Sequence, residues 1–165
     1  MRKSILIVLG LLLALALTIV ATPNANAAVC PTGWGSLPKV NSAASQAHIT
    51  TVRAGTNECY DRLVFDINGP NPGWSVRYVN TVFAEGTGNP LPVTGGAKLE
   101  LIIRSLSDTT RMPSVSGFPT FRSVVYGGSF EGQTTVGLGV RARLPMRVFT
   151  LTNPSRVVVD VAHKW

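Results

Sequence analysis

The chain has 165 residues, 15 Lys+Arg against 8 Asp+Glu, two Cys and a mean hydropathy of +0.24. Residues 1–27 account for much of the apolar share: Arg2 and Lys3, no acid, an uncharged run from Ser4 to Ala21 and the close Ala25-Asn26-Ala27 have the pattern of a helical secretory signal peptide. Without them, 138 residues carry 13 basic and 8 acidic side chains, a balance of +5 that suits one domain at 28–165. No other apolar run nears the ~20 residues of a membrane helix, so membrane attachment is expected only through an uncleaved leader. Dispersed cations with no helix to enter a groove argue against nucleic acid.

Cys30 and Cys59 form an even pair behind an export signal, which reads as a disulfide stapling the N-terminal end of the domain. The competing reading, lipid attachment at Cys30, is opposed by the branched Val29 before it. Two cysteines with the distant His48 and His163 lack metal-ligand spacing, and neither a metal nor a cofactor is expected. Between the cysteines, Trp34 has glycines on both sides and is placed to lie over a sugar or over the disulfide.

Period-two alternation then predicts strands near 48–54, 60–68, 74–82, 98–106, 121–130, 134–143, 146–151 and 155–162, with Gly, Pro and Asn clusters between them. Strands of that number and spacing make an all-β protein, a β-sandwich of about eight short, mostly antiparallel strands. Trp74 opens its strand as a core residue. Segment 105–120 is the most loop-like stretch.

Two strands echo each other. Asp61-Arg62-Leu63-Val64-Phe65-Asp66-Ile67 and Ser155-Arg156-Val157-Val158-Val159-Asp160-Val161 share the form x-R-h-V-h-D-h, where h is apolar. Alternation sends the three h positions to a core and the Arg and Asp to the other face. Within one strand those charges stand about 13 Å apart, too far to pair. If the strands are antiparallel neighbours in register, Arg62 meets Asp160 and Asp66 meets Arg156.

Catalytic patterns fail on context. Gly127-Gly128-Ser129-Phe130-Glu131 approaches a nucleophile elbow and Ser36-Leu37-Pro38-Lys39 spells S-x-x-K, but neither precedes a helix. Gly137-Leu138-Gly139-Val140-Arg141-Ala142 spells a dinucleotide turn, again without the helix it requires, so its glycines read as sites of close packing or bulges. Ser129, Glu131, Gln133 and Thr134 gather donors and acceptors beside Phe130. They are either a sugar contact or, with Glu131-Gly132, a hairpin turn. A glycosidase would need a second carboxylate near Glu131, and none is indicated. Arg141 and Arg143, with Arg147 nearby, share a strand face as a cationic patch for wall anions or as a solvated edge. His48 and His163 have no partner in sequence and read as surface or strand-end residues.

Three further segments carry a resemblance: Cys30 to Lys39, Cys59 to Asp66 followed by Gly73 to Val79, and above all Gly128 to Arg141 continuing through Pro145 to Phe149 and Pro154 to His163. Over residues 30–165 the sequence resembles the AMIN-like domain of secreted actinobacterial proteins, related to the AMIN β-sandwiches of cell-wall amidases and pilus secretins. The resemblance implies a secreted or cell-wall-associated, non-catalytic module that binds peptidoglycan or another wall glycan. It implies no catalytic residue. The alternatives are a module that binds an envelope protein, such as a wall enzyme or secretion component, and a small wall hydrolase. A monomer is expected.

Overall fold

The computed structural model describes residue 30 and residues 33–165; the leader and the cleavage site lie outside the described residues. Among the described residues ten strands run in chain order: β1 (Lys39–Asn41), β2 (His48–Thr56), β3 (Tyr60–Asn68), β4 (Trp74–Val79), β5 (Ala97–Ile103), β6 (Leu106–Ser107), β7 (Phe121–Phe130), β8 (Gln133–Val140), β9 (Met146–Leu151) and β10 (Arg156–Ala162). They form two five-stranded sheets, ordered β1-β4-β5-β8-β7 and β6-β2-β3-β10-β9. The pairs are antiparallel except β2 with β6. The β-sandwich expected from the alternating pattern is what the chain forms.

Alternation on β3 explains how the sheets meet. Leu63 and Phe65 are fully buried and Ile67 nearly so, and they face Val157, Val159 and Val161 from β10 and Val76, Leu99, Leu101, Val136 and Leu138 from the other sheet in one core. Trp74 joins that core, as its place at a strand start suggested. Asp61, on the same inward row as Leu63, is also fully buried. Its carboxylate accepts from the backbone N–H groups of Thr120 and Phe121 at 2.7 Å each, from the Thr56 hydroxyl at 2.6 Å, and contacts His163 Nε2 at 3.0 Å. A buried acid with this many partners ties β3 to the first residue of β7 across the sandwich.

Three expected strand ends shift, and short strands are added at β1 and β6. β4 stops at Val79, because residues after it leave the sheet and fold over its outside. β5 stops at Ile103 and the short β6 forms at Leu106–Ser107 on the opposite sheet. β8 stops at Val140, so Arg141 and Arg143 lie on the loop to β9 and share no strand face. β1, three residues on a sheet edge, was too short to show a period.

The segment that follows β4 explains why β8 is buried along almost its whole length. Val82 and Val93 are buried, Leu91 N–H donates to the Val82 carbonyl at 2.8 Å, and Ala84 N–H donates to Asn89 O at 2.7 Å. The segment lies so close to β8 that a side chain at Gly137 would collide with Val93 and one at Gly139 with the Thr94 carbonyl. These are packing glycines.

Candidate functional site

The outer face of the other sheet has no such cover. Register places Arg147, Asp160 and Arg62 in one row across β9, β10 and β3, and Phe149, Val158, Val64 and Arg53 in the next. Arg62 and Asp160 meet as the strand echo required: Nε donates to Oδ1 at 2.7 Å and Nη2 to Oδ2 at 2.9 Å. Arg147 Nε donates to the same Oδ2 at 2.8 Å. The Asp160 side chain is fully buried beneath two arginine side chains that are themselves 33% and 38% exposed. The bond to Asp160 raises the affinity of the Arg62 guanidinium for its proton above its already high value.

Aromatic rings wall this row. The Arg147 guanidinium lies 4.3 Å from the Trp34 ring centre, 5.4 Å from Tyr60 and 5.2 Å from Phe149, and Arg62 lies 5.1 Å from Tyr60 and 5.6 Å from Phe149. Arg62 Nη2 also donates to the Tyr60 hydroxyl at 3.2 Å. The cation–π contacts and the shared carboxylate fix both guanidinium planes. Among the described residues, Nη1 of Arg62 and both Nη groups of Arg147 have no acceptor. The cluster therefore holds rigid, charged donors at the protein surface between flat apolar rings.

Trp34 reaches this place because its segment is tied down at several points. A disulfide joins Cys30 to Cys59, next to Tyr60, and the loop it closes is worth about 3 to 4 kcal/mol in a chain-entropy account. Met146 N–H donates to Gly35 O, Lys39 Nζ to Trp34 O, and Arg143 to the hydroxyl and carbonyl of Ser36. The ring is tilted against Tyr60 at a centroid distance of 5.5 Å. The Trp34 ring thus meets Tyr60 and Arg147.

The second expected pairing does not form. Arg156 and Asp66 are in register, but the Asp66 carboxylate is taken by Arg53, whose Nε and Nη2 donate at 2.6 and 2.7 Å, and Arg156 Nε turns to the Pro154 carbonyl. Arg53 comes from the strand on the other side of β3. Its hydrogen bonds hold the Asp66 carboxyl below the usual carboxylate range.

The remaining candidates are dispersed, and most are spent within the fold. Glu131 and Gly132 both have positive φ, 48° and 80°, and form the two-residue turn between the paired Phe130 and Gln133; this is the hairpin reading, with a type I′ geometry. Ser129 Oγ bonds Thr134 Oγ1 and accepts from the Tyr126 hydroxyl and Ser107 N–H, while the buried Thr134 hydroxyl donates to Ser105 O. No histidine or acid is among the partners of Ser129, as a nucleophile would need. Gln133 donates to Glu85, which also accepts from Thr135. Arg141 donates to the His163 carbonyl. Both histidines have partners the sequence did not show: His48 Nδ1 lies 2.7 Å from Asp108, and His163 sits against Asp61.

Comparison with known families gives one result: the AMIN-like domain model matches residues 47–163. No curated protein and no solved structure matches the chain. The matched span holds Tyr60, Arg62, Arg147, Phe149 and Asp160 but not Trp34, which the disulfide brings in from outside it. Domains of this kind are generally non-catalytic binding modules associated with the cell envelope, and the disulfide is compatible with an extracytoplasmic location.

Proposed function

The chain belongs to the AMIN-like family, and on that footing we propose that it is an exported, non-catalytic module whose residues 28–165, after a leader at 1–27, bind the peptidoglycan of the cell wall. The observation that carries this reading is the row Arg62–Asp160–Arg147 with its three rings. Peptidoglycan presents peptide carboxylates and sugar hydroxyls, both acceptors for the free guanidinium N–H groups, beside ring faces suited to rings and methyl groups. Because Asp160 already fixes the guanidiniums, little side-chain ordering is left to oppose binding. Glu131 and Arg143 lie outside this contact.

The test is co-sedimentation of the full chain with purified peptidoglycan. Retention in the pellet, weakened by salt, supports the proposal, and a chain left wholly in the supernatant ends it. A protein partner is the second reading, favoured by Phe83 and Phe130. Both are about half exposed, and a side chain added at Gly86, three residues after Phe83, would meet the Phe130 ring. Binding to intact walls that is abolished by treating the walls with protease would select it.

A further inference from the structure

A cleft of about 420 Å³ opens elsewhere, where β4 ends, β5 begins and the loop after β8 returns. Tyr78, Asn80, Gly95, Gly96, Lys98 and Arg143 line it. We propose that this cleft is a second binding site, which takes an oxyanion, carboxylate or phosphate, carried on a polar chain.

Charge is the first reason. Two cations and no acid line the cleft, and the Lys98 ammonium has no hydrogen-bond or ion-pair partner among the described residues. Most other cations on the protein's strands are matched to a carboxylate: Arg53 to Asp66, Arg62 and Arg147 to Asp160, Arg77 to Glu100. Two unmatched cations around one concavity reinforce each other's field toward an anion.

Placement is the second. The Arg143 guanidinium lies 4.9 Å from the Tyr78 ring centre and is held through Nε and Nη2 by Ser36, which leaves Nη1 without an acceptor among the described residues. Tyr78 is equally fixed: its hydroxyl donates to Leu144 O at 2.8 Å and accepts from Leu144 N–H at 3.0 Å. Burial raises the pKa of this phenol, so the ring stays neutral and no competing anion forms beside the cations. Gly95 and Gly96 leave the rim as bare backbone, since a side chain at either would strike the backbone of Val140 or Arg141. The volume suits a group the size of one sugar or a dipeptide. Arg143, which leaves the strand-face patch expected from its spacing to Arg141, thus finds a different use, away from the Arg62–Arg147 row.

The experiment is a titration of the isotope-labelled full chain with two probes, inorganic phosphate and N-acetylated dialanine, read at the amides of Gly95, Gly96 and Lys98. The expected result is a saturable shift at these amides, weakened about tenfold in Lys98→Met and in Arg143→Gln and unchanged in Arg62→Gln. Response to phosphate alone assigns the site to a phosphate-bearing polymer, response to the dipeptide alone to a peptide carboxylate, and response to both to the oxyanion itself. Arg143→Gln also loosens Ser36, so Lys98→Met is the deciding variant. No shift with either probe across the millimolar range, or a Kd unaltered in Lys98→Met, overturns the proposal.

Discussion

Gly137 and Gly139 let the segment after β4 lie flat on the outside of β8, whereas the corresponding place outside β10 is filled by Arg62, Arg147 and Phe149. Both β8 and β10 are buried on both faces, but by different materials. On β8 the cover is chain: the apolar side chains of Val82 and Val93 and the backbone that carries them. On β10 the cover is side chain, with partly exposed guanidiniums resting on a buried carboxylate, and it keeps hydrogen-bond donors at the surface. The first arrangement contributes stability, and the second keeps a surface that can exchange water for a ligand.

Two buried acids give the largest expected separation. Asp61 accepts from the buried backbone N–H groups of Thr120 and Phe121, so Asp61→Ala should cost about 3 to 5 kcal/mol in denaturant unfolding, with both donors left bare. Asp160→Ala should cost clearly less, because the partly exposed Arg62 and Arg147 can turn to water; an equal loss would break the comparison. Next, Gly139→Val should lower stability by about 3 kcal/mol, since the Thr94 backbone must lift away, and leave wall binding per folded molecule intact.

On the opposite face, Arg147→Ala should cost about 1 kcal/mol of stability and lower wall affinity about tenfold or more, read by unfolding and by sedimentation. The smallest effect concerns pH. Asp66 has a lower pKa in the folded chain than in the unfolded one, so its contribution is present above the ordinary carboxylate range and fades as pH falls through the folded value. Asp66→Asn should therefore flatten the acid limb of the stability curve by less than about 1 kcal/mol, as suits an exposed pair.

The strand echo makes part of this face legible in the sequence. Period two put Arg62 and Asp160 on one side, and an antiparallel register made them partners, because both facts follow from local pattern. Arg53 was not legible as the partner of Asp66. It belongs to β2, where the irregularity between Ile49 and Thr51 shifts the pairing, and a bulge has no plain signature in alternation. Arg147 stands near Arg141 and Arg143 in sequence, but the β9–β10 register sets it opposite Asp160. Tyr60 and Phe149 escaped because outward aromatics on a strand look like core residues in sequence. Gly137 and Gly139 were rightly read as sites of close packing, but what packs on them comes from more than forty residues earlier in the chain.

The most direct measurement sets one face against the other. Full-chain Arg62→Gln/Arg147→Gln and full-chain Arg77→Gln, which alters the outer face of the β8 sheet, are each sedimented with purified peptidoglycan after their folding has been checked by thermal unfolding. The account predicts that the double variant remains in the supernatant while Arg77→Gln pellets like the parent. A folded double variant that pellets as fully as the parent would contradict it.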